Sequence, residues 1–296
     1  CSFAPRQTAL IDKLGGTING DLTVEQCFPA KRAFRLVSSS VTTSTSIHDN
    51  WQEGAIAYND SSVPNNYGTH ITGLAQVSGS GHTITASGGD QVQGLDWQPS
   101  GSPSLFSFSN DVNQSWDMVL NTDSPNNLTA GEPYRLMIRG ARKDATLGLF
   151  DITNNGATAT DTKLRSTGTV VKGPVDFTPS ININQVAMVG NPFHSIVDMG
   201  KVLSSSVDLN QSFVIWDPTL AGMNGRGAYT TVNVTTNTNT NGSSQMRKFL
   251  QPYQAVFVIA GGASPKLTFK ETDKAVTQPQ VSVFSTTPAS YMRMTL

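Results

Sequence analysis

Phe34-Arg35-Leu36-Val37-Ser38-Ser39-Ser40-Val41 and Val186-Ala187-Met188-Val189-Gly190-Asn191-Pro192-Phe193 are the two stretches that decide the fold. Each opens on a short apolar strand signal and runs into a turn of Ser, Gly, Asn or Pro. Each is followed by a compact apolar and acidic group, Ile47-His48-Asp49 in one case and Ile196-Val197-Asp198 in the other. An aromatic run comes next in both, Leu105-Phe106-Ser107-Phe108 and Phe213-Val214-Ile215-Trp216, followed by Gly- and Asn-rich sequence. Both then enter an apolar strand past a Pro-Tyr pair, Pro133-Tyr134-Arg135-Leu136 and Pro252-Tyr253-Gln254-Ala255-Val256. The shared order predicts two diverged copies of one β unit, or two halves of one sandwich.

Outward from these stretches the same period-two pattern continues. It marks Leu22-Thr23-Val24-Glu25, Tyr134-Arg135-Leu136-Met137-Ile138, Ala255-Val256-Phe257-Val258-Ile259 and Leu267-Thr268-Phe269, with turn dipeptides such as Asn224-Gly225 and Gly261-Gly262 between runs. Helical spacing is confined to two short segments, residues 46–51 and 194–203. The expected class is all-β, with two related β-sandwich-like units and short helical turns, flanked by fragments of neighbouring β domains. The expected division is 1–33 for the end of a preceding unit and a linker, 34–170 for the first unit, 171–274 for the second, and 275–296 for the start of a following domain. Alternating sequence at 281–284 and 291–296 reads as a strand cut short. Residues 60–104 read as a long insertion or a pair of Gly-rich strands, and residues 234–244 as a hairpin tip or a disordered loop.

Composition narrows the function classes. The chain has 296 residues, 20 Lys and Arg against 21 Asp and Glu, and only 14% charged residues. Its polarity comes from 85 Ser, Thr and Asn. A neutral chain without a basic face lacks the electrostatic footprint of a nucleic-acid binder. No apolar run nears the ~20 residues that span a bilayer as a helix. The six Asn-x-Ser/Thr triplets, at Asn59, Asn113, Asn127, Asn210, Asn233 and Asn241, follow from the composition. Two cysteines, Cys1 and Cys27, are too few for a disulfide framework; one bridge between them fits only an oxidising compartment.

No residue pattern names a reaction. His48, His70, His82 and His194 are scattered, without metal-ligand spacing, and read as exposed or turn residues. Ser78-Gly79-Ser80-Gly81 is a Gly/Ser loop without the strand and helix of a nucleophile elbow. A hydrolase would need a Ser/His pair or two carboxylates facing each other in a cleft. The oxygen-rich loops around Asp60 and Asp123 offer one carboxylate each, thin for calcium, and read as structural turns. No catalytic residue, metal ligand or cofactor is expected. Among Trp51, Trp97, Trp116 and Trp216, the last lies in an apolar strand and reads as core. Trp97 and Trp116, in polar context, are the candidates for stacking on a sugar.

One stretch adds a resemblance. Gly20-Asp21-Leu22-Thr23-Val24-Glu25-Gln26-Cys27-Phe28-Pro29-Ala30-Lys31-Arg32-Ala33-Phe34-Arg35, continuing through Ser38-Ser39, resembles a segment of large secreted proteins of Bacteroidota exported by the type IX secretion system. Asn50-Trp51-Gln52-Glu53-Gly54, Gly68-Thr69-His70-Ile71-Thr72-Gly73, Gly131-Glu132-Pro133-Tyr134-Arg135-Leu136 and Met188-Val189-Gly190-Asn191-Pro192-Phe193 are similar to later parts of the same pattern, so the likeness runs from about residue 7 to 274. Ser40 departs from it, standing where a proline is usual, and no C-terminal sorting domain appears in the sequence. The resemblance implies a surface or secreted location and transfers no catalytic residues. The expectation is a non-enzymatic extracellular β-module for adhesion, spacing or assembly, or else a glycan-binding accessory module of a polysaccharide-degrading protein. Its implied partners are neighbouring domains of the same polypeptide, surface glycans or other cell-surface proteins, and the export machinery.

Overall fold

The computed structural model describes residues 8–55, 62–73, 84–85, 88–89, 93–96, 102–143, 159–220 and 226–281. Trp97, His82, Asp60, Cys1 and the 78–81 loop lie outside them. The described chain is all-β apart from two short helices and a 3₁₀ turn.

The first half contains β1 (Leu22–Phe28), β2 (Ala33–Ser38), β3 (Val41–Thr43), α1 (Ile47–Trp51), β4 (Ile84–Thr85), β5 (Gly88–Gly89), β6 (Leu105–Phe108), β7 (Trp116–Met118), β8 (Pro133–Ile138) and β9 (Thr162–Val170). Its main antiparallel sheet has the order β2-β8-β6-β7, and a second sheet has the order β1-β9-β3. Segment 1–33 thus supplies β1, which pairs with β9 from Leu22↔Gly168 to Phe28↔Thr162. Within the 60–104 stretch, β4 and β5 form a two-residue ladder, the Gly-rich strand pair. Gly168 is required by packing, because a Cβ there would sit 2.1 Å from the Thr42 carbonyl oxygen on β3.

The second half contains β10 (Val175–Phe177), β11 (Val186–Gly190), β12 (Val197–Asp198), α2 (Met199–Ser204), β13 (Leu209–Asp217), β14 (Ala228–Asn233), β15 (Thr238–Asn239), β16 (Phe249–Leu250), β17 (Ala255–Ala260) and β18 (Leu267–Phe269). Its main sheet runs β11-β17-β13-β14-β15, and β10 pairs with β18 outside it. Strand for strand this is the order of the first half. First, last, aromatic and hairpin strands lie side by side in the main sheet, while the strand before the first pairs with the strand after the last. The Asn/Thr-rich 234–244 stretch is a hairpin tip. Asn233 Oδ1 accepts from the Thr235 and Thr236 amides, and Asn237 takes φ 54°.

The pairing registers define which positions correspond. Ser38 lies opposite Pro133, and Gly190 opposite Ala255. Leu36 lies opposite Arg135, and Met188 opposite Phe257. The alignment of Pro133-Tyr134 with Pro252-Tyr253 is therefore offset by three residues, since the first pair opens β8 while the second precedes β17. Two backbone bonds join the halves at corresponding places. The Ser38 amide donates to the Tyr253 carbonyl (3.1 Å), and the Gly190 amide donates to the Gly131 carbonyl (3.0 Å). Ser38 and Gly190 themselves meet there, and a Cβ on Gly190 would fall 2.3 Å from the Ser38 Cβ.

One apolar core runs through both halves, from Phe28, Trp51 and Leu136 to Phe213, Val258 and Phe269. The opposite faces of the two main sheets meet in a second layer of Leu36, Met188, Ala255 and Phe257, edged by Phe108, Trp116, Val214 and Trp216. Tyr253 crosses from the second half into the first. It packs with Val24 and Val41, and its hydroxyl donates to the Val24 carbonyl (3.0 Å). The helices are held by their caps. Ser46 and Asp49 form a reciprocal capping box on α1, and the Asp198 carboxylate accepts from the Gly200 amide at the start of α2. The 194–198 part of the expected second helix is not helical, because Val197 and Asp198 pair with Leu250 and Phe249. Among the described residues no helix is long and apolar enough to cross a membrane.

Candidate functional site

The strand register places Leu36, Arg135, Phe106 and Met118 in one row across the first main sheet. The corresponding row of the second sheet is Met188, Phe257, Val214 and Thr231. One row further along stand Phe108 opposite Trp116, and Trp216 opposite Tyr229. Both pairs are edge-to-face, with ring centroids 5.1 Å and 4.8 Å apart. These rings meet across the junction of the halves. Phe257 lies 5.1 Å from Phe108, 5.9 Å from Trp116 and 6.1 Å from Tyr229.

Trp116 is therefore a half-buried member of a two-sided aromatic cluster, not a free-standing platform. Trp216 belongs to the same cluster, half-buried, with its indole nitrogen unpartnered among the described residues. Trp51 is fully buried, packs edge-to-face on Tyr134 at 5.7 Å and donates to Ser166 Oγ. The cluster also holds a charge. The Arg135 guanidinium lies 4.1 Å from the Phe34 ring centroid and 4.9 Å from those of Phe106 and Trp116. Burial lowers its pKa, opposed by the neighbouring Tyr229 phenol. The cluster opens to solvent at Met118 and Tyr229, which are 41% and 47% exposed.

Phe108 is shared with a groove of about 580 Å³ between the halves. Its walls are the 129–133 turn, β10, Pro192 and Phe269, and Glu132 and Asp176 are its carboxylates. Asp176 is engaged by Lys266 Nζ and Thr268 Oγ1, both at 2.7 Å, and these bonds hold its pKa low.

A Ser/His pair does exist. Ser40 Oγ lies 2.9 Å from His194 Nδ1, while Thr8 Oγ1 lies 2.8 Å from Nε2. Ser40 and His194 are buried, both ring nitrogens are engaged, and among the described residues no carboxylate orients the ring; burial lowers the His194 pKa to about 4. An arrangement closed to solvent and without the orienting third group is not that of an activated nucleophile. The expectation of exposed histidines needs correcting, since His48, His70 and His194 are all buried. His48 Nε2 is 3.0 Å from the Ala55 carbonyl and its Nδ1 is 3.4 Å from Asp123, so the Asp123 loop is engaged inside the fold. Among the described residues no three His, Cys, Asp or Glu side chains converge as metal ligands would.

The sequence reading missed a second charged constellation. Arg142 and Asp96 form a fully buried ion pair at 2.7 Å, and Gln52 Nε2 donates to the same carboxylate. Beside it the Glu53 side chain is wholly buried and reaches Arg165 at 2.5 Å. Burial pushes its pKa up to about 7 against the pull of Arg165. Arg165 and Lys163 both stand over the Tyr67 ring, and Lys163 pairs with Glu25. Cys27, on the same sheet, is disulfide-bonded. Neither Glu53 nor Arg135 carried a sequence signal beyond its place beside an apolar run. No family model, no curated protein and no solved structure matches the chain.

Proposed function

We propose that the chain is a non-catalytic β-module of a large secreted or cell-surface bacterial protein, of the kind that Bacteroidota export by the type IX system, serving adhesion, spacing or assembly. The observation that carries this reading is the junction. Two sheets of like strand order are locked by paired backbone bonds and one continuous core, which makes a stiff block suited to holding neighbouring domains apart. The hydroxyl- and amide-rich composition and the Cys27 disulfide support an oxidising, extracytoplasmic setting. Intact source cells test it. Protease added outside should digest the protein, and Cys27 should resist alkylation until a reductant is added. Protection until lysis, together with a freely alkylated Cys27, would sink the location.

The second reading, a glycan-binding accessory module, is favoured by Trp116, a half-exposed indole in an aromatic cluster open to solvent. A glycan array probes it. Retained binding after both Trp116→Ala and Trp97→Ala would remove these residues from the account.

A further inference from the structure

We propose that the partly exposed aromatic cluster around Arg135 recognises a carboxylate-bearing sugar, with the guanidinium taking the carboxylate and the rings of Trp116 and Tyr229 taking the sugar face. This rests on the glycan-binding reading and names its ligand class.

The first support is the state of the cation. Arg135 is half-buried among three aromatic rings, yet it makes no hydrogen bond or ion pair with the described residues, and its Nε is shielded from water without a partner. A charge withdrawn from water is ordinarily paired. Arg35, Arg139 and Arg142 also leave a buried Nε unpartnered among the described residues, but the terminal nitrogens of Arg35 donate to four carbonyl groups, and those of Arg142 and Arg165 meet carboxylates.

The second support comes from correspondence between the halves. The place of Arg135 in the second sheet is taken by Phe257, and the two face the same kind of row. An apolar ring satisfies that place, so packing does not demand a cation there.

The third support is shape and charge. Three rings pack on the half-buried guanidinium without a hydrogen bond to it, and a guanidinium matches a planar carboxylate in two parallel bonds. One isolated cation beside aromatic faces suits a ligand with a single carboxylate on an apolar-faced ring. Aromatic walls with a few placed polar groups are the usual make-up of such sites. A strongly acidic peptide would call for several cations, and among the described residues no other Lys or Arg stands over the Phe34, Phe106 and Trp116 rings.

The test uses the whole chain and tryptophan fluorescence titration. The probes are uronic-acid trisaccharides (galacturonate, glucuronate and mannuronate), neutral galactotriose, acetate and an oligoglutamate peptide. At least one uronate should bind ten-fold or more tightly than galactotriose, acetate or the peptide. Arg135→Met, which keeps the apolar length, should lose that uronate binding by ten-fold or more while leaving thermal unfolding unchanged or raised. Arg135→Lys should weaken it several-fold, because the fork is lost and the charge is kept. Trp116→Ala should weaken uronate and galactotriose alike. Equal binding of uronate and galactotriose, unmoved by Arg135→Met, would overturn the carboxylate and leave glycan binding standing. Tighter binding of oligoglutamate would overturn the sugar. Binding of none of the saccharides would remove both.

Discussion

At the scale of single residues, the junction turns on positions whose backbone demands are unusual. Gly131 and Tyr253 stand at corresponding places, two residues before Pro133 and Ala255, and both have positive φ, 82° and 62°. Glycine takes that conformation freely, whereas a tyrosine there is strained by about 1–3 kcal/mol. The strain persists because the ring plugs the first half, so Tyr253→Gly should still be net destabilising in thermal unfolding despite relaxing the backbone. Gly190→Ala should cost about 1–3 kcal/mol, the usual penalty of overpacking, since the new methyl would meet both Ser38 and the Gly131 carbonyl. Glu53 makes a prediction about pH. Its folded pKa of about 7 lies above an unfolded value near about 4.3. The folded state therefore disfavours the carboxylate, and this group's contribution to stability falls as pH rises from about 4.3 through 7. Glu53→Gln should therefore be more stable than the wild type at pH 8 and lose that advantage at pH 5, a change of about 4 kcal/mol at most. Denaturant titrations of both proteins at the two pH values check it, and an equal difference at both would refute the assignment. Arg135 shows why such residues escape sequence reading. In Tyr134-Arg135-Leu136 it looks like an ordinary outward polar residue of an alternating strand, and only the register reveals rings on three sides.

At the scale of elements, legibility followed side-chain size. Leu105–Phe108 and Leu267–Phe269 were readable to the residue because large apolar side chains mark one face. Strand β9 was not, because its inward positions are Thr162, Leu164, Ser166 and Gly168, and one leucine in four does not make a pattern. Its inward face is small because β3, Tyr253 and Trp51 approach it closely. The first helix was legible in the spacing of residues 46–51, and the second began later than expected because Asp198 caps it. Ser46→Ala should remove the hydroxyl half of the α1 capping box, the bond accepted from the Asp49 amide, and lower stability by about 1 kcal/mol, measured by thermal or urea unfolding. An unchanged midpoint would mean that burial of Trp51 and Ile47 alone fixes the helix.

At the scale of the molecule, the likeness of the halves was legible as an order of strands, and the structure adds how they join. The trace of that junction in sequence was slight, a serine in one turn and a glycine in the corresponding one, and the Pro-Tyr pairs pointed three residues astray. The charged network of Arg142, Asp96 and Glu53 had no periodic signature, because its members come from separate loops. A core continuous across the junction predicts a single unfolding transition. Far-UV circular dichroism and tryptophan fluorescence should report one midpoint, and Gly190→Ala should move both together. Two separated midpoints would show that the halves are independent.

The bond from the Tyr253 hydroxyl to the Val24 carbonyl joins residues 229 apart in the chain. Strand β1 likewise waits for β9, with Cys27 opposite Lys163. Strand β1 therefore stays without its partner until residues 162–170 are present, and its last neighbour arrives only with residue 253. Distant contacts of this kind slow folding, since the loops must close before the contacts reward closure. A chain wired in this way cannot complete the surroundings of β1 until residue 253 is present, so the β1-β9-β3 sheet is the last part of the first half to be sealed.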